Sequence, residues 1–214
     1  MNEKKLKKMI INIGNKLIEM GFISGTEGNI SGRLESQDWF FITPSGIAYS
    51  QTKPEDLLGI DLKGNKISGD KKASIEYNMH LKIFQKRKDV NVIIHTHSFY
   101  AKTVACVRKN IPPLLDNIAI MFGGPIEVAE YARPGSLKLA ENVADKLTNK
   151  NATLIANHGA IAVGKDFEEA MEYCNLIEDA AKVMIFANII GKPVPLTNKQ
   201  IEEDLNFFNS QYGQ

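Results

Sequence analysis

Apolar positions along the chain recur with two periods. Residues 3–20 place Leu6, Met9, Ile10, Ile13, Leu17 and Ile18 at helical spacing, and Gly21 supplies the stop. Phe167–Ile190 is a second, longer amphipathic helix, ended by Gly191. Further helices are expected from Ser74, as N-cap, to about Gln85, from about Ser98 to Val107, and over Gly135–Leu147. Thr52 to Leu58 reads as a short capped helix. Short apolar or alternating runs predict strands at Ile30–Leu34, Trp39–Thr43, Val90–His95, Ile118–Phe122, Ile126–Val128, Thr153–Ala156 and Ala160–Val163. Ile60-Asp61-Leu62 and Lys66-Ile67-Ser68 flank a turn at Lys63-Gly64-Asn65, a small hairpin. Pro193 and Pro195 open a tail that closes with Tyr212.

Helices and strands are mixed without strict βαβ alternation. No repeat, low-complexity segment or long linker divides the chain. The expected fold class is α/β, with one α/β/α layered domain over residues 1–214. The pattern leaves strand order open.

Composition narrows the function classes. The 214 residues suffice for a sizeable core, and a formal net charge of +1 gives no field that favours nucleic acid or a membrane surface. Lys4, Lys5, Lys7 and Lys8 belong to the solvated face of the first helix. No apolar run approaches the roughly 18 residues that span a bilayer, and the lysine-rich start lacks a signal-peptide core. Cys106 and Cys174 form no CxxC pair and read as reduced thiols. A cytoplasmic protein that binds neither nucleic acid nor membrane is expected.

The chemistry concentrates in the histidines, of which there are four. His95 and His97 end an apolar run, and residues i and i+2 of a strand face the same side. His158 follows a second apolar run. The HxH pair by itself is equally a hydrogen-bonded pair at a strand end. Adding His158-Gly159 shifts the reading to metal, because three convergent imidazoles with room for a fourth ligand make a catalytic zinc site. Other divalent metals also bind imidazole. Glu76, in the first turn of a helix, complements the helix dipole there. That helix leads directly into the histidine strand, so its carboxylate can reach a metal and act as general base. His80 lies four residues on and reads as an ordinary satisfied histidine. Gly25-Thr26-Glu27-Gly28-Asn29, Thr43-Pro44-Ser45-Gly46 and the helix start at Ser74 offer hydroxyls and backbone N–H groups, the makings of a phosphate nest.

In this order, Gly25-Thr26-x-Gly28-Asn29-Ile30-Ser31, Thr43-Pro44-Ser45-Gly46, Ser74-x-Glu76, His95-Thr96-His97 and Asn157-His158-Gly159 resemble the class II aldolase/adducin-head family, with the L-fuculose-1-phosphate aldolase branch the most similar. The resemblance runs over nearly the whole chain. It implies a three-layer α/β/α sandwich around a largely antiparallel sheet. It implies His95, His97 and His158 as ligands of one Zn2+ per subunit, and Glu76 as catalytic acid/base. Thr26, Gly28, Asn29, Thr43, Ser45, Gly46 and Ser74 are implied as the phosphate cradle, with a sugar phosphate as the small-molecule partner. The implied reaction is reversible cleavage of a phosphorylated ketose to dihydroxyacetone phosphate and an aldehyde, through a metal-stabilised ene-diolate. A 4-epimerase, a methylthioribulose-phosphate dehydratase and a non-catalytic adducin-like module share the resemblance. The family assembles as a homotetramer with sites at subunit interfaces. Three positions bear on the pattern. Ile75 stands where the family often has a second serine. Leu114-Leu115-Asp116-Asn117 replaces a segment that carries a tyrosine. Tyr212 matches a C-terminal tyrosine that approaches the site, and is the second catalytic candidate.

Overall fold

The protein is described by a computed structural model over residues 1–211. Eight strands form one sheet in the order β4-β3-β2-β1-β5-β8-β7-β6. They are β1 (Asn29–Gly32), β2 (Trp39–Ile42), β3 (Leu58–Asp61), β4 (Lys66–Ser68), β5 (Val92–Thr96), β6 (Val128–Ala129), β7 (Ala152–Ile155) and β8 (Gly159–Gly164). Every pairing is antiparallel except β6 with β7. The helices are α1 (Glu3–Glu19), α2 (Tyr77–Lys86), α3 (Phe99–Cys106), α4 (Asp116–Phe122), α5 (Leu137–Lys146), α6 (Phe167–Ile190) and α7 (Asn198–Gln211).

Each face of the sheet is buried, so the expected three-layer sandwich is what forms. On one face, Leu6, Ile10 and Leu17 of α1 pack with Val104 of α3, Ile118 of α4 and Ile177 of α6 against Ile30, Ile94 and Ala162. On the other, Met79, Ile83 and Phe84 of α2 and Leu139 and Val143 of α5 cover Phe40, Ile42, Ile93 and Ile161. Strand alternation divides these sets. Along β5, Val92 and Ile94 join the first core and Ile93 joins the second. His95, two residues beyond Ile93, therefore faces α2. Arg33 secures the approach to that strand. Its guanidinium donates to the carbonyls of Val90, Arg87 and Lys88 at 2.9, 2.9 and 3.0 Å, and it stacks on Phe84.

Several elements differ from the sequence expectation. Ile118–Phe122 is not a strand but lies within the helix α4. Ile118 and Phe122 are buried four residues apart, and Gly123 ends the helix at φ 59° with its N–H on Ala119 O. A five-residue apolar run carries no decisive period. Thr52–Leu58 is not one helix. A short 3-10 turn occupies Pro54–Asp56, and Leu58 already begins β3. Pro54 lacks an N–H, and the Asp56 carboxylate closes the turn by accepting from Lys53 N at 2.9 Å. Ser74 is not the N-cap of α2: Glu76 holds that position, while Ser74 Oγ accepts from Glu76 N at 3.3 Å. The expected strand at Ile126–Val128 is reduced to Val128–Ala129. The tail contains α7, for which a signal is present: in Thr197-x-x-Gln200, Thr197 N donates to Gln200 Oε1 at 2.9 Å and Gln200 N to Thr197 Oγ1 at 3.3 Å, a reciprocal cap. Tyr212 lies outside the described residues.

The rings of Phe84 and Phe40 pack with centroids 4.9 Å apart, both fully buried. Phe84→Ala is expected to destabilise the protein by about 3–5 kcal/mol, read as a lowered midpoint in urea unfolding.

Candidate metal centre

Five chain segments meet at one end of the sheet. Asn29, at the start of β1, is opposite His95, near the end of β5. Thr96 is opposite Ala160, which sets the β7–β8 turn beside His97. The loop after β2 lies at the same end, since Ser31 pairs with Ile42. The start of α2 closes the space from the second face.

The turn itself is built for close approach. Asn157 takes φ 56°, and its side-chain carbonyl accepts from Arg108 Nε at 3.0 Å. A Cβ on Gly159 would sit 2.2 Å from Thr96 O, 3.1 Å from His97 Cδ2 and 3.3 Å from His95 Cε1. Gly28 has a comparable role at φ 67°, where a Cβ would fall 2.6 Å from His95 O.

His95, His97 and His158 come together with ring centroids 4.7–4.9 Å apart. Their ligand nitrogens lie within 4.8 Å of one another. His95 Nδ1 donates to Ala160 O at 3.0 Å, which turns its Nε2 into the cluster. That Nε2 is 3.0 Å from His97 Nε2, and 3.2 Å from Glu76 Oε2. His97 Nδ1 faces Glu27 Oε1 at 3.7 Å, and its Nε2 turns toward His95. Glu76 Oε1, 3.6 Å from His158 Nε2, is buried without a hydrogen-bond partner. Three imidazoles and a carboxylate thus converge on one space. Such a donor set fits a divalent cation, and the outer carbonyl and carboxylate fix the ring orientations a metal requires.

The electrostatics agree. Burial, then neighbouring His95, lowers His97 to about 3 and His158 to about 4, so both rings are neutral, the form in which imidazole can take a metal. Burial works against ionising Glu76, but His95, His158 and the Asn29 amide outweigh it and hold the carboxyl well below its usual range. Burial likewise opposes protonation of His95, and the Glu76 carboxylate reverses the balance and raises it.

The residues expected to hold phosphate are distributed around this centre. Asn29 is buried, and its Nδ2 donates to Glu76 Oε2 at 2.9 Å. Thr43 is buried and its hydroxyl accepts from Ile30 N at 3.2 Å, so that oxygen also serves the sheet. Thr26, Ser45 and Gly46 are exposed, in the loops before β1 and after β2, with Gly46 at φ 70°. Ser45 N donates to Lys72 O and Ser74 N to Thr43 O, at 2.9 and 3.2 Å, which zips the second loop to the segment preceding α2. Ile75 is 64% exposed there.

His80 is a satisfied buried histidine, as expected, but its partners tie it and Ser31 to Asn29 beside the centre, a link the sequence reading did not draw. His80, fully buried, places Nε2 2.5 Å from Asn29 Oδ1 and Nδ1 2.6 Å from Ser31 Oγ. Burial lowers its ring to about 3. The signal was available: His80 is one helical turn after Glu76, and Asn29 and Ser31 share a strand face.

The three-layer fold, the histidine cluster and the relatives define the class: this is an enzyme of the class II aldolase type, a carbon–carbon lyase. A 5-deoxy-D-ribulose 1-phosphate aldolase of Bacillus thuringiensis serovar kurstaki is 36% identical over 212 residues, covering 99% of this chain and 98% of the relative. The L-fuculose phosphate aldolase of Escherichia coli K12 is 34% identical over 214 residues, covering 100% and 98%. A solved L-fuculose 1-phosphate aldolase superposes with a TM-score of 0.93 at 35% identity, over 98% of each chain. A 3-oxo-tetronate 4-phosphate decarboxylase of Haemophilus influenzae is 31% identical over 212 residues, covering 95% and 97%. Residues 8–185 match the sequence profile of the Class II Aldolase and Adducin N-terminal domain, and the chain belongs to that family.

Gly159→Ala forces its methyl into Thr96 O and the two imidazoles. A loss of about 1–3 kcal/mol in denaturant unfolding is expected, typical of overpacking.

Proposed function

We propose that the chain is a zinc-dependent aldolase that reversibly cleaves a ketose 1-phosphate to dihydroxyacetone phosphate and an aldehyde. The observation that carries this reading is the Glu76 carboxylate, buried 3.2 and 3.6 Å from the Nε2 atoms of His95 and His158. The aldolases among the relatives, named for 5-deoxy-D-ribulose 1-phosphate and L-fuculose phosphate, support the ketose 1-phosphate class.

His95, His97 and His158 would hold the zinc. When bound, zinc supplies Lewis-acid polarisation of the substrate carbonyl. Glu76 then removes the proton from the carbon next to that carbonyl of dihydroxyacetone phosphate. The resulting carbanion attacks the aldehyde carbon, and the new carbon–carbon bond forms as the aldehyde oxygen gains a proton. In cleavage the hydroxyl proton leaves, the bond breaks, and Glu76 returns its proton to carbon. We assign the oxygen-side proton to Tyr212, because no tyrosine occupies 114–117. Thr26, Gly28, Asn29, Thr43, Ser45, Gly46 and Ser74 would anchor the phosphate and so fix the reacting carbon beside Glu76. Ile75 contributes no hydroxyl to that cradle, which favours a phosphate pocket shaped differently from one with two serines. The proposed working form is a cytoplasmic homotetramer of one-domain subunits, with sites at the interfaces.

The same centre would serve a 4-epimerase, a dehydratase or a decarboxylase, since each begins by stabilising charge beside a carbonyl. The exposed groups around the metal site would decide the fate of that charge. Product analysis with ribulose 1-phosphate, fuculose 1-phosphate and ribulose 5-phosphate separates these outcomes.

Two measurements test the aldolase reading. Chelation of the purified protein with EDTA is expected to abolish release of dihydroxyacetone phosphate, and added zinc to restore it; full activity in metal-free protein would sink the proposal. Glu76→Gln is expected to lower kcat by roughly 100- to 10,000-fold, the range for loss of a general base, with zinc content unchanged.

A further inference from the structure

The buried chain behind Glu76 has a definite direction. Asn29 Nδ2 points at Glu76 Oε2 at 2.9 Å, and the reverse amide orientation would set two acceptors against each other. Asn29 Oδ1 is therefore the atom facing His80, 2.5 Å from Nε2, and it can only accept. His80 must carry its proton on Nε2. Its Nδ1, 2.6 Å from Ser31 Oγ, then accepts from the serine hydroxyl. Ser31 and His80 are both 0% exposed and Asn29 is 3% exposed, so no water substitutes for any member. Asn29 and Ser31 lie on β1, His80 lies on α2, and Glu76 is the N-cap of α2, which packs against the sheet.

The consequence falls on the two carboxylate oxygens of Glu76. Oε2 accepts from Asn29 and lies beside His95. Oε1 has no hydrogen-bond partner.

We propose that His80 is a positioning residue for the reaction: by locking the Asn29 amide, with Ser31 as its latch, it fixes the Glu76 carboxylate in place beside His95 and His158. This deepens the aldolase reading and rests on Glu76 as its base. Asn29 accordingly serves the carboxylate as well as the phosphate.

The test uses zinc-loaded full-length protein. His80→Gln keeps a donor at the place of Nε2, whereas His80→Asn keeps a group only at the place of Nδ1. His80→Asn is expected to lower kcat roughly 10–100-fold, the usual cost of losing an outer-shell partner, with KM changed less than about threefold. His80→Gln is expected to recover most of that loss. The same order should appear in exchange of the carbon-bound hydrogen of dihydroxyacetone phosphate with D2O, followed by NMR without any aldehyde. Equal effects of the Gln and Asn variants, or a kcat within twofold of wild type for Asn, would overturn the proposal. Should His80→Asn fail to fold, Ser31→Ala supplies the milder lesion, with a smaller fall in kcat at constant KM expected; an unchanged kcat would overturn the latch. Crystal structures of the variants give a readout independent of turnover: Glu76 turned away from its Asn29 contact supports positioning, and an unmoved Glu76 refutes it. If wild-type protein cleaves no ketose 1-phosphate, the aldolase reading fails separately, while the Glu76 position in the variants still decides this one.

Discussion

The pairing of β5 with β8 is the constraint on which the site depends. Its register sets Thr96 opposite Ala160, so the β7–β8 turn delivers His158 to the pair His95 and His97. Gly159 permits that register, because any side chain there would meet the Thr96 carbonyl. Ala160 then fixes His95 through the carbonyl that receives its Nδ1 proton. One ladder thus sets both the position of the rings and the direction in which one lone pair points. A sheet buried on both faces resists relaxation, which keeps such a cluster of acceptors together before any cation neutralises it.

The second layer of order comes from α2. Helix and strand each contribute groups to one buried polar chain, Glu76–Asn29–His80–Ser31, in which the Asn29 amide and both His80 nitrogens are paired. A half-satisfied version would be costly in a low-dielectric interior. His95 and His158, with the Asn29 amide, are what let the Glu76 carboxylate remain ionised where burial alone would favour its neutral form. The chemistry at Glu76 and the stability of the α2 face therefore share the same hydrogen bonds.

Much of this was legible in the chain. Leu6, Ile10 and Leu17 at helical spacing gave α1, and the i, i+2 spacing of His95 and His97 gave one shared face. The errors share one cause. Ile118–Phe122 is a uniformly apolar run, where helix and strand patterns coincide, and the burial of Ile118 and Phe122 against one core settled it. In Thr52–Leu58 a proline and a capping aspartate mimic a helix start, yet the chain is needed two residues later as β3, the partner of β2. Tertiary demand overrode the local signal.

By itself the sequence determined the composition of the site: which imidazoles, which carboxylate, and which small loops lie at strand and helix ends, because those follow from periodicity and turn chemistry within a few residues. The tertiary structure alone decided how they are joined. The strand order that places β1 beside β5, and β5 beside β8, is a matter of long-range pairing that no local period encodes. That order converts His80 from an ordinary core histidine into the third member of a chain leading to Glu76, since hydrogen bonds between residues 47 and 51 positions apart exist only after the sheet and α2 have packed.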